Sequence, residues 1–286
     1  MNSVSIVLPA KNEAEAIGPV IQSICRLLPQ AEVIVIDDGS DDDTAEIAQT
    51  AGARVVSHRY SKGNGAAIKS GARAATGDVI VFMDADGQHR PEDIPLLLEK
   101  IEEGFDLVVG ARGAGSQASV GRGLANRFYN RLASFMTGHK VDDLTSGFRA
   151  VRRTMFLEFL YLLPNGFSYP TTSTMAFFRA GHSVAYVPIS VLSRAEGSKS
   201  HISLWKDGLR FLLIIFKIGT LYSPLKLFFP ISVGLGGGGV SYYAYTYLTE
   251  GRFTNMSALL FTTAILVFLM GLVSEQITAL MYKDKG

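Results

Sequence analysis

Asp84-Ala85-Asp86-Gly87-Gln88 closes the apolar run Val79 to Met83, and its two carboxylates are spaced for metal chemistry. Side chains alternate along an extended strand, so Asp84 and Asp86 project to one side as the chain leaves the sheet, and Gln88 follows them. Magnesium keeps several waters and takes one or two protein carboxylates, filling its shell with phosphate oxygens of a substrate. The competing reading is a solvated acidic turn. Position favours the metal, because open α/β sheets bind ligands beyond the carboxyl ends of their strands.

Such a site needs a sheet behind it. Strand-like runs at Val4 to Leu8, Val33 to Ile36, Val55 to Ser57, Val79 to Met83 and Leu107 to Val109 alternate with helical patterns at Glu13 to Leu28, Thr44 to Ala51, Ala66 to Ala74 and Pro91 to Glu103. That rhythm predicts a mostly parallel, doubly wound α/β sheet. Gly52, Gly77 and Gly104 fall just after helices, where a left-handed residue is wanted, and Pro91 suits a first helical turn. After Gly110 the pattern loosens into Gly113 to Gly123, read as a mobile loop. A helix from Leu124 to Thr137 and a second part ending near Pro188 follow.

The chain has 286 residues and a formal net charge of +1, which argues against a general nucleic-acid binder. Cys25 is the only cysteine; it excludes an intramolecular disulfide, fits a reducing compartment and sits on an apolar helix face as packing. The sequence opens directly on a strand, without a basic stretch and apolar core, so no cleavable signal is expected and the first domain should stay in the cytosol.

The carboxyl-terminal part reads differently. Leu225 to Leu248 and Met256 to Ser274 are each long and apolar enough to cross a hydrocarbon core about 30 Å thick, which predicts two membrane helices. Lys206, Arg210, Lys217 and Lys226 precede the first, and Lys283 and Lys285 follow the second; this basic excess places both ends in the cytosol. Leu204 to Ile218 is amphipathic and reads as a helix lying on the bilayer surface or, alternatively, as one packed on the domain. Gly234 and Gly236 to Gly239 permit close helix contact, with the second span or with another copy in a homo-oligomer. Glu275 is costly in lipid and is expected at the interface or paired in an oligomer.

Five motifs occur in order: Leu8-Pro9-Ala10-Lys11-Asn12-Glu13; Ile36-Asp37-Asp38-Gly39-Ser40 with Asp43-Thr44; Asp84 to His89; Thr145-Ser146-Gly147-Phe148-Arg149; and Arg194-Ala195-Glu196-Gly197-Ser198-Lys199. As a set they resemble the family 2 glycosyltransferases of the dolichyl-phosphate mannose synthase type, including their polyprenyl-phosphate glucosyltransferase relatives. The resemblance covers roughly residues 3 to 200, and the tail resembles the two-span members. It implies a GT-A type domain over residues 1–200, an amphipathic juxtamembrane helix over 201–222 and a transmembrane hairpin over 223–286.

The resemblance also implies roles. Pro9, Asn12, Glu13, Asp37, Asp38, Lys62 and Arg112 line the pocket of a nucleotide-sugar donor, GDP-mannose or UDP-glucose. Asp84 and Asp86, with Gln88 as a third ligand, hold Mg²⁺ or Mn²⁺ against the diphosphate. Arg149, Arg194 and Lys199 join Arg112 as cations around the reaction centre, and Asp143 stands on the acceptor side, orienting or deprotonating a polyprenyl phosphate at the bilayer. The implied reaction is inverting hexose transfer to that lipid phosphate. Other readings stay open. Asp41 to Asp43 also suit helix capping, and Lys62-Gly63-Asn64-Gly65 also suits a plain turn. A transferase acting on another membrane lipid and a non-catalytic sugar-nucleotide sensor are the alternatives. A processive polysaccharide synthase fits poorly, since the Gln-x-x-Arg-Trp motif of that group is missing.

Overall fold

The structure is a computed structural model that describes residues 3–112, 120–166, 169–190, 219–220 and 222–283. The chain divides into two compact units, Met1–Ile202 and Ser203–Gly286.

The first unit is built on a seven-stranded sheet in the order β3-β2-β1-β4-β6-β5-β7. Its strands are β1 Val4–Ala10, β2 Glu32–Asp37, β3 Arg54–Ser57, β4 Val79–Phe82, β5 Leu107–Arg112, β6 Arg149–Arg152 and β7 Val184–Ile189. The helices are α1 Ala14–Leu27, α2 Thr44–Thr50, α3 Asn64–Ala74, a 3₁₀ turn at Pro91–Asp93 leading into α4 Ile94–Glu102, α5 Val120–Thr137, α6 Arg153–Glu158 and α7 Tyr169–Arg179. All neighbouring strands run parallel except β6, which is antiparallel to both β4 and β5. The five expected strands are present, and β1, β2 and β5 run further toward the site than their apolar runs indicate. Pro9 is tolerated inside β1 because the β4 ladder ends at the Val7–Phe82 pair, so its missing N–H leaves no bond unmade there.

The core has the form the alternation demands. Ile6, Leu8, Val33, Val35, Val79 and Val81 from the strands meet Ile17, Ile21 and Ile24 of α1 and Ile94, Leu97 and Ile101 of α4. Cys25 packs against this cluster. Burying each large aliphatic side chain contributes about 1.5–3 kcal/mol, so the sheet is a stiff platform for the loops at its carboxyl edge. One expectation needs correcting: α5 begins at Val120, so the loop read over Gly113 to Gly123 ends earlier, and residues 113–119 lie outside the described set. The amphipathic helix expected over Leu204 to Ile218 also lies outside it.

The second unit is a helical hairpin of α8 Pro224–Glu250 and α9 Asn255–Lys283. Among the described residues a single stretch, Asn255–Met281, is long and apolar enough to cross a membrane. The other expected span is fully helical, but its glycines and Tyr242, Tyr243, Tyr245 and Tyr247 dilute its apolar character. The two helices fit closely. A Cβ at Gly271 would lie 2.8 Å from Cβ of Phe228, and one at Gly239 would lie 3.1 Å from the Phe261 ring. Ser232 Oγ donates to the Ala264 carbonyl across the pair at 2.9 Å. Glu275 is accounted for within the hairpin: its Oε2 accepts the N–H of Leu225 at 3.2 Å, one of the donors that a helix start leaves unsatisfied. Phe229, Val233, Val240, Leu259, Leu266, Val273 and Ile277 are exposed on the outside of the pair.

Candidate active site

The site forms where the loops after β1, β2 and β4 and the last residue of β5, Arg112, come to one edge of the sheet, joined by the segment 143–149 that leads into β6. β4 stops at Phe82, and Ala85 turns inward to the core while Asp84 and Asp86 stay partly exposed, as the alternation predicts. Asp86 Oδ1 accepts the N–H of Gln88 at 3.1 Å, closing a tight turn through Gly87. Among the described residues Asp84 has one ion-pair contact, 3.7 Å from Nε2 of the buried His89, whose ring stacks on Phe148 with centroids 5.1 Å apart.

Gly147 brings the two halves of the site together. A Cβ at this position would stand 3.0 Å from Oδ2 and 3.3 Å from Oδ1 of Asp84, so the 145–149 segment passes over the carboxylate with only a hydrogen's clearance. The same segment is tied down by Asp143. Arg112, at the end of β5, grips Asp143 in a two-pronged pair, Nε to Oδ2 at 2.8 Å and Nη2 to Oδ1 at 3.0 Å. Arg112 also donates to Thr145 Oγ1 at 2.6 Å. Asp143 further accepts the N–H groups of Thr145 and Ser146 at 3.0 and 3.1 Å. Burial pushes the Asp143 carboxyl up, but the Arg112 hydrogen bonds and charge, with the backbone donors, outweigh it and hold the group below the usual carboxylate range. The Asp143 hydrogen bond in turn raises Arg112, which also feels the charge of Asp84. Asp143 is therefore an ionised anchor. Of the two roles expected for it, orienting or deprotonating, the hydrogen bonds match an orienting group, here directed at Arg112; a carboxylate held below the usual range and this fully engaged is a weak base.

Arg149 departs further from expectation. It is 0% exposed. Its Nη1 donates to the Pro170 carbonyl at 3.0 Å, to Ser173 Oγ at 2.7 Å and to Thr174 Oγ1 at 3.2 Å, and its Nη2 donates to the Ser146 carbonyl. The Tyr169 hydroxyl donates to the Gly147 carbonyl at 3.0 Å alongside. Burial pushes this guanidinium down from its ordinary value. Arg149 thus staples α7 to the 146–149 segment from inside the protein and presents no edge to a ligand at the surface.

On the other side, Asn12 takes a left-handed φ of 56°, a conformation asparagine tolerates better than most residues. Its N–H donates to Ser40 Oγ at 3.0 Å and its Oδ1 accepts the N–H of Asp41 at 2.9 Å, so it ties the β1 loop to the β2 loop. Glu13 precedes α1 and its N–H is held by Thr44 Oγ1 at 2.9 Å. Asp37 accepts the N–H of Ser40 at 3.0 Å. Asp42 does cap, accepting from the N–H groups of Thr44 and Ala14, whereas Asp43 makes no side-chain cap bond. Lys62 is exposed, with Nζ 5.8 Å from the centre of the Tyr60 ring. Arg194 and Lys199 lie outside the described residues. His58, which sequence reasoning passed over, is buried against Asp38; its place between the end of β3 and the Lys62-Gly63 turn was the available signal.

The donor set suits a shared divalent ion. Among the described residues no group of three His, Cys, Asp or Glu side chains gathers to hold a metal alone. Two partly exposed carboxylates at a strand end leave most of a coordination shell to water and substrate, which is how Mg²⁺ is usually held at phosphates.

A mostly parallel sheet carrying paired carboxylates beyond its strand ends places the protein in the GT-A class of nucleotide-sugar folds. Consistent with this, it is similar to the crystal structure of glucosyl-3-phosphoglycerate synthase from Mycobacterium tuberculosis in complex with Mn²⁺, UDP and phosphoglyceric acid, with a TM-score of 0.58, 28% identity and coverage of 75% of this chain and 78% of that one. Residues 5–160 match the model of glycosyl transferase family 2, and the chain belongs to that family. Residues 223–280 match the GtrB C-terminal hairpin. Over its length the chain is 31% identical to glycosyltransferase AglJ of Haloferax volcanii, covering 98% of this chain and 95% of the relative. It is 34% identical to the dolichyl-phosphate hexose transferase of the same organism over 69% of this chain and 86% of that one.

Proposed function

We propose that the protein transfers a hexose from a nucleotide sugar, GDP-mannose or UDP-glucose, to a polyprenyl or dolichyl monophosphate with inversion at the anomeric carbon. The observation that carries this is the meeting of Asp84 with the Gly147 segment and the Arg112–Asp143 pair, in a chain that also bears an apolar helical hairpin. The relatives' lipid-phosphate specificity supports the acceptor class.

Asp84 and Asp86 would hold Mg²⁺ or Mn²⁺, with Gln88 as a further ligand. When bound, the ion supplies positive charge for the departing diphosphate. The chain's own residues do the rest. Arg112 is fixed by Asp143 through Nε and Nη2, and among the described residues its Nη1 edge makes no hydrogen bond, so this edge is left for a phosphate oxygen. Pro9, Asn12, Glu13, Asp37 and Lys62 shape the donor pocket, and Arg194 and Lys199 complete the cations that let two anions approach. No general base is required. A phosphate monoester with a second pKa of about 6 is largely dianionic at neutral pH and is itself the nucleophile. The hairpin, read as two membrane helices with both ends in the cytosol, keeps the chain at the bilayer where such an acceptor resides. Gly234, Gly237 and Gly238 face open space and leave room for a second copy in the membrane.

The test is a panel of labelled sugar nucleotides incubated with membranes containing the protein and a short polyprenyl phosphate, with and without EDTA. The expected product partitions into organic solvent, is released by mild acid and is absent with EDTA. A product made equally well without polyprenyl phosphate, and stable to mild acid, rejects the acceptor assignment.

A further inference from the structure

The turn between β3 and α3 is built around a histidine and a carboxylate that no ligand needs to satisfy. His58 follows β3, and its N–H donates to the Asp37 carbonyl at 2.8 Å, carrying the chain back over the end of β2. Its Nδ1 lies 2.6 Å from Asp38 Oδ1, and its Nε2 lies 2.8 Å from Ser70 Oγ on α3. An ionised carboxylate only accepts, so the Nδ1 proton belongs to the bond with Asp38. Asp38, only 5% exposed, also accepts Ser61 Oγ–H and the N–H groups of Lys62 and Gly63, each at 2.8 Å. With His58 these donors occupy the roughly four lone-pair directions a carboxylate offers. Burial pushes Asp38 up, yet the His58 bond and the loop donors together hold it below the ordinary range.

The turn is fixed from both sides. A Cβ at Gly39, where φ is 70°, would lie 2.9 Å from the backbone of Tyr60 and Ser61. One at Gly63, where φ is 99°, would lie 2.6 Å from the Asn165 carbonyl. Nothing in this arrangement leaves Asp38 a lone pair for a base or a ribose, although it stands beside Asp37 in the acidic pair.

We propose that Asp38 and His58 are positioning residues that set the Ser61-Lys62-Gly63 turn for the donor nucleotide, and that Asp38 does not itself touch that nucleotide. This rests on the reading of Lys62 as part of the donor pocket. Sequence motifs make Asp38 a ligand; the hydrogen bonds make it the hub on which a ligand-bearing turn is hung, with His58 as the second support.

The test uses the full chain in detergent, with UDP and GDP as probes in the presence of MgCl₂, and full kinetics with the preferred donor. His58→Ala is expected to weaken nucleoside diphosphate binding and raise the donor KM about tenfold, with kcat and the lipid-phosphate KM unchanged. His58→Asn puts an amide N–H where Nδ1 stands and should restore donor KM; His58→Gln places it at the Nε2 end and should not. An unchanged donor KM in His58→Ala, equal losses in kcat and in both KM values, or rescue by Gln in place of Asn overturns the proposal while the donor-pocket reading stands. If His58→Ala does not fold, Ser61→Ala removes one bond from the exposed side; a donor KM raised about threefold supports the proposal and an unchanged one overturns it. A wild-type chain that binds neither nucleotide overturns the donor-pocket reading and this proposal together.

Discussion

At the scale of single residues, the site separates side chains that meet substrate from side chains that hold others in place. Asp84 and Asp86 are proposed for the first group: both are partly exposed beyond a strand end, and the Asp86 side chain accepts the N–H of Gln88 in its own turn. Asp86→Ala is therefore expected to abolish transfer while circular dichroism and the melting temperature stay at wild-type values. Asp143 belongs to the second. Its replacement by Asn keeps the size but loses the ion pair; kcat should fall about a hundredfold through a misplaced Arg112, and stability should drop by about 1.5–3 kcal/mol, the range for hydrogen bonds to charged groups. The sign with pH follows from the depressed carboxyl. The contribution of Asp143 is present above its unfolded pKa near 3.9 and is lost as pH falls through its lower folded value. The melting-temperature difference between wild type and Asp143→Asn should thus be constant above pH 5 and shrink below about pH 4, and no Asp143 limb should appear in the rate profile between pH 6 and 8. Equal acid sensitivity of both proteins would remove the ion-pair account.

At the scale of elements, the positions of catalytic groups follow from where strands stop and what crosses them. Gly147→Ala is a sharp probe: the added methyl meets the Asp84 carboxylate at 3.0 Å, so the variant should fold normally and need at least about tenfold more Mg²⁺ for half-maximal rate. An unshifted Mg²⁺ requirement would mean that the segment is free to move aside. Much of this was legible in the sequence, for stated physical reasons. The alternation that buries Ala85 leaves its two aspartate neighbours partly exposed, and five of the six parallel strands, all but β7, announce themselves as apolar runs bounded by turn residues. β6 does not. Arg149-Ala150-Val151-Arg152 is a short stretch with a charge at each end, and it becomes a central strand only through non-local pairing with β4 and β5. The same pairing carries Arg149 inside, which its residue type does not foretell, since an arginine is fully buried only where a prepared set of acceptors receives it. Likewise, the place of His58 between the end of β3 and the Lys62-Gly63 turn is legible, but its pairing with Asp38 is not.

At the scale of the whole molecule, the two compact units divide the labour. The sheet with its loops contains every described residue placed in the donor pocket, and the hairpin contains none. Removal of residues 203–286 should therefore leave Mg²⁺-dependent nucleoside diphosphate binding within about threefold of the full chain, while transfer to long-chain polyprenyl phosphate in vesicles is lost; calorimetry and product extraction read the two arms. Loss of nucleotide binding as well would make the hairpin part of the donor site. The sheet order has one more outcome, which concerns biogenesis. Once β4 has been made, β1 to β4 can pair among themselves, whereas β5 pairs only with β6 and β7, both of which come later in the chain. At about 5–20 residues per second, Leu107-Val108-Val109 waits for several seconds on the ribosome as a bare hydrophobic edge, so nascent-chain capture and aggregation during overexpression should concentrate on this strand.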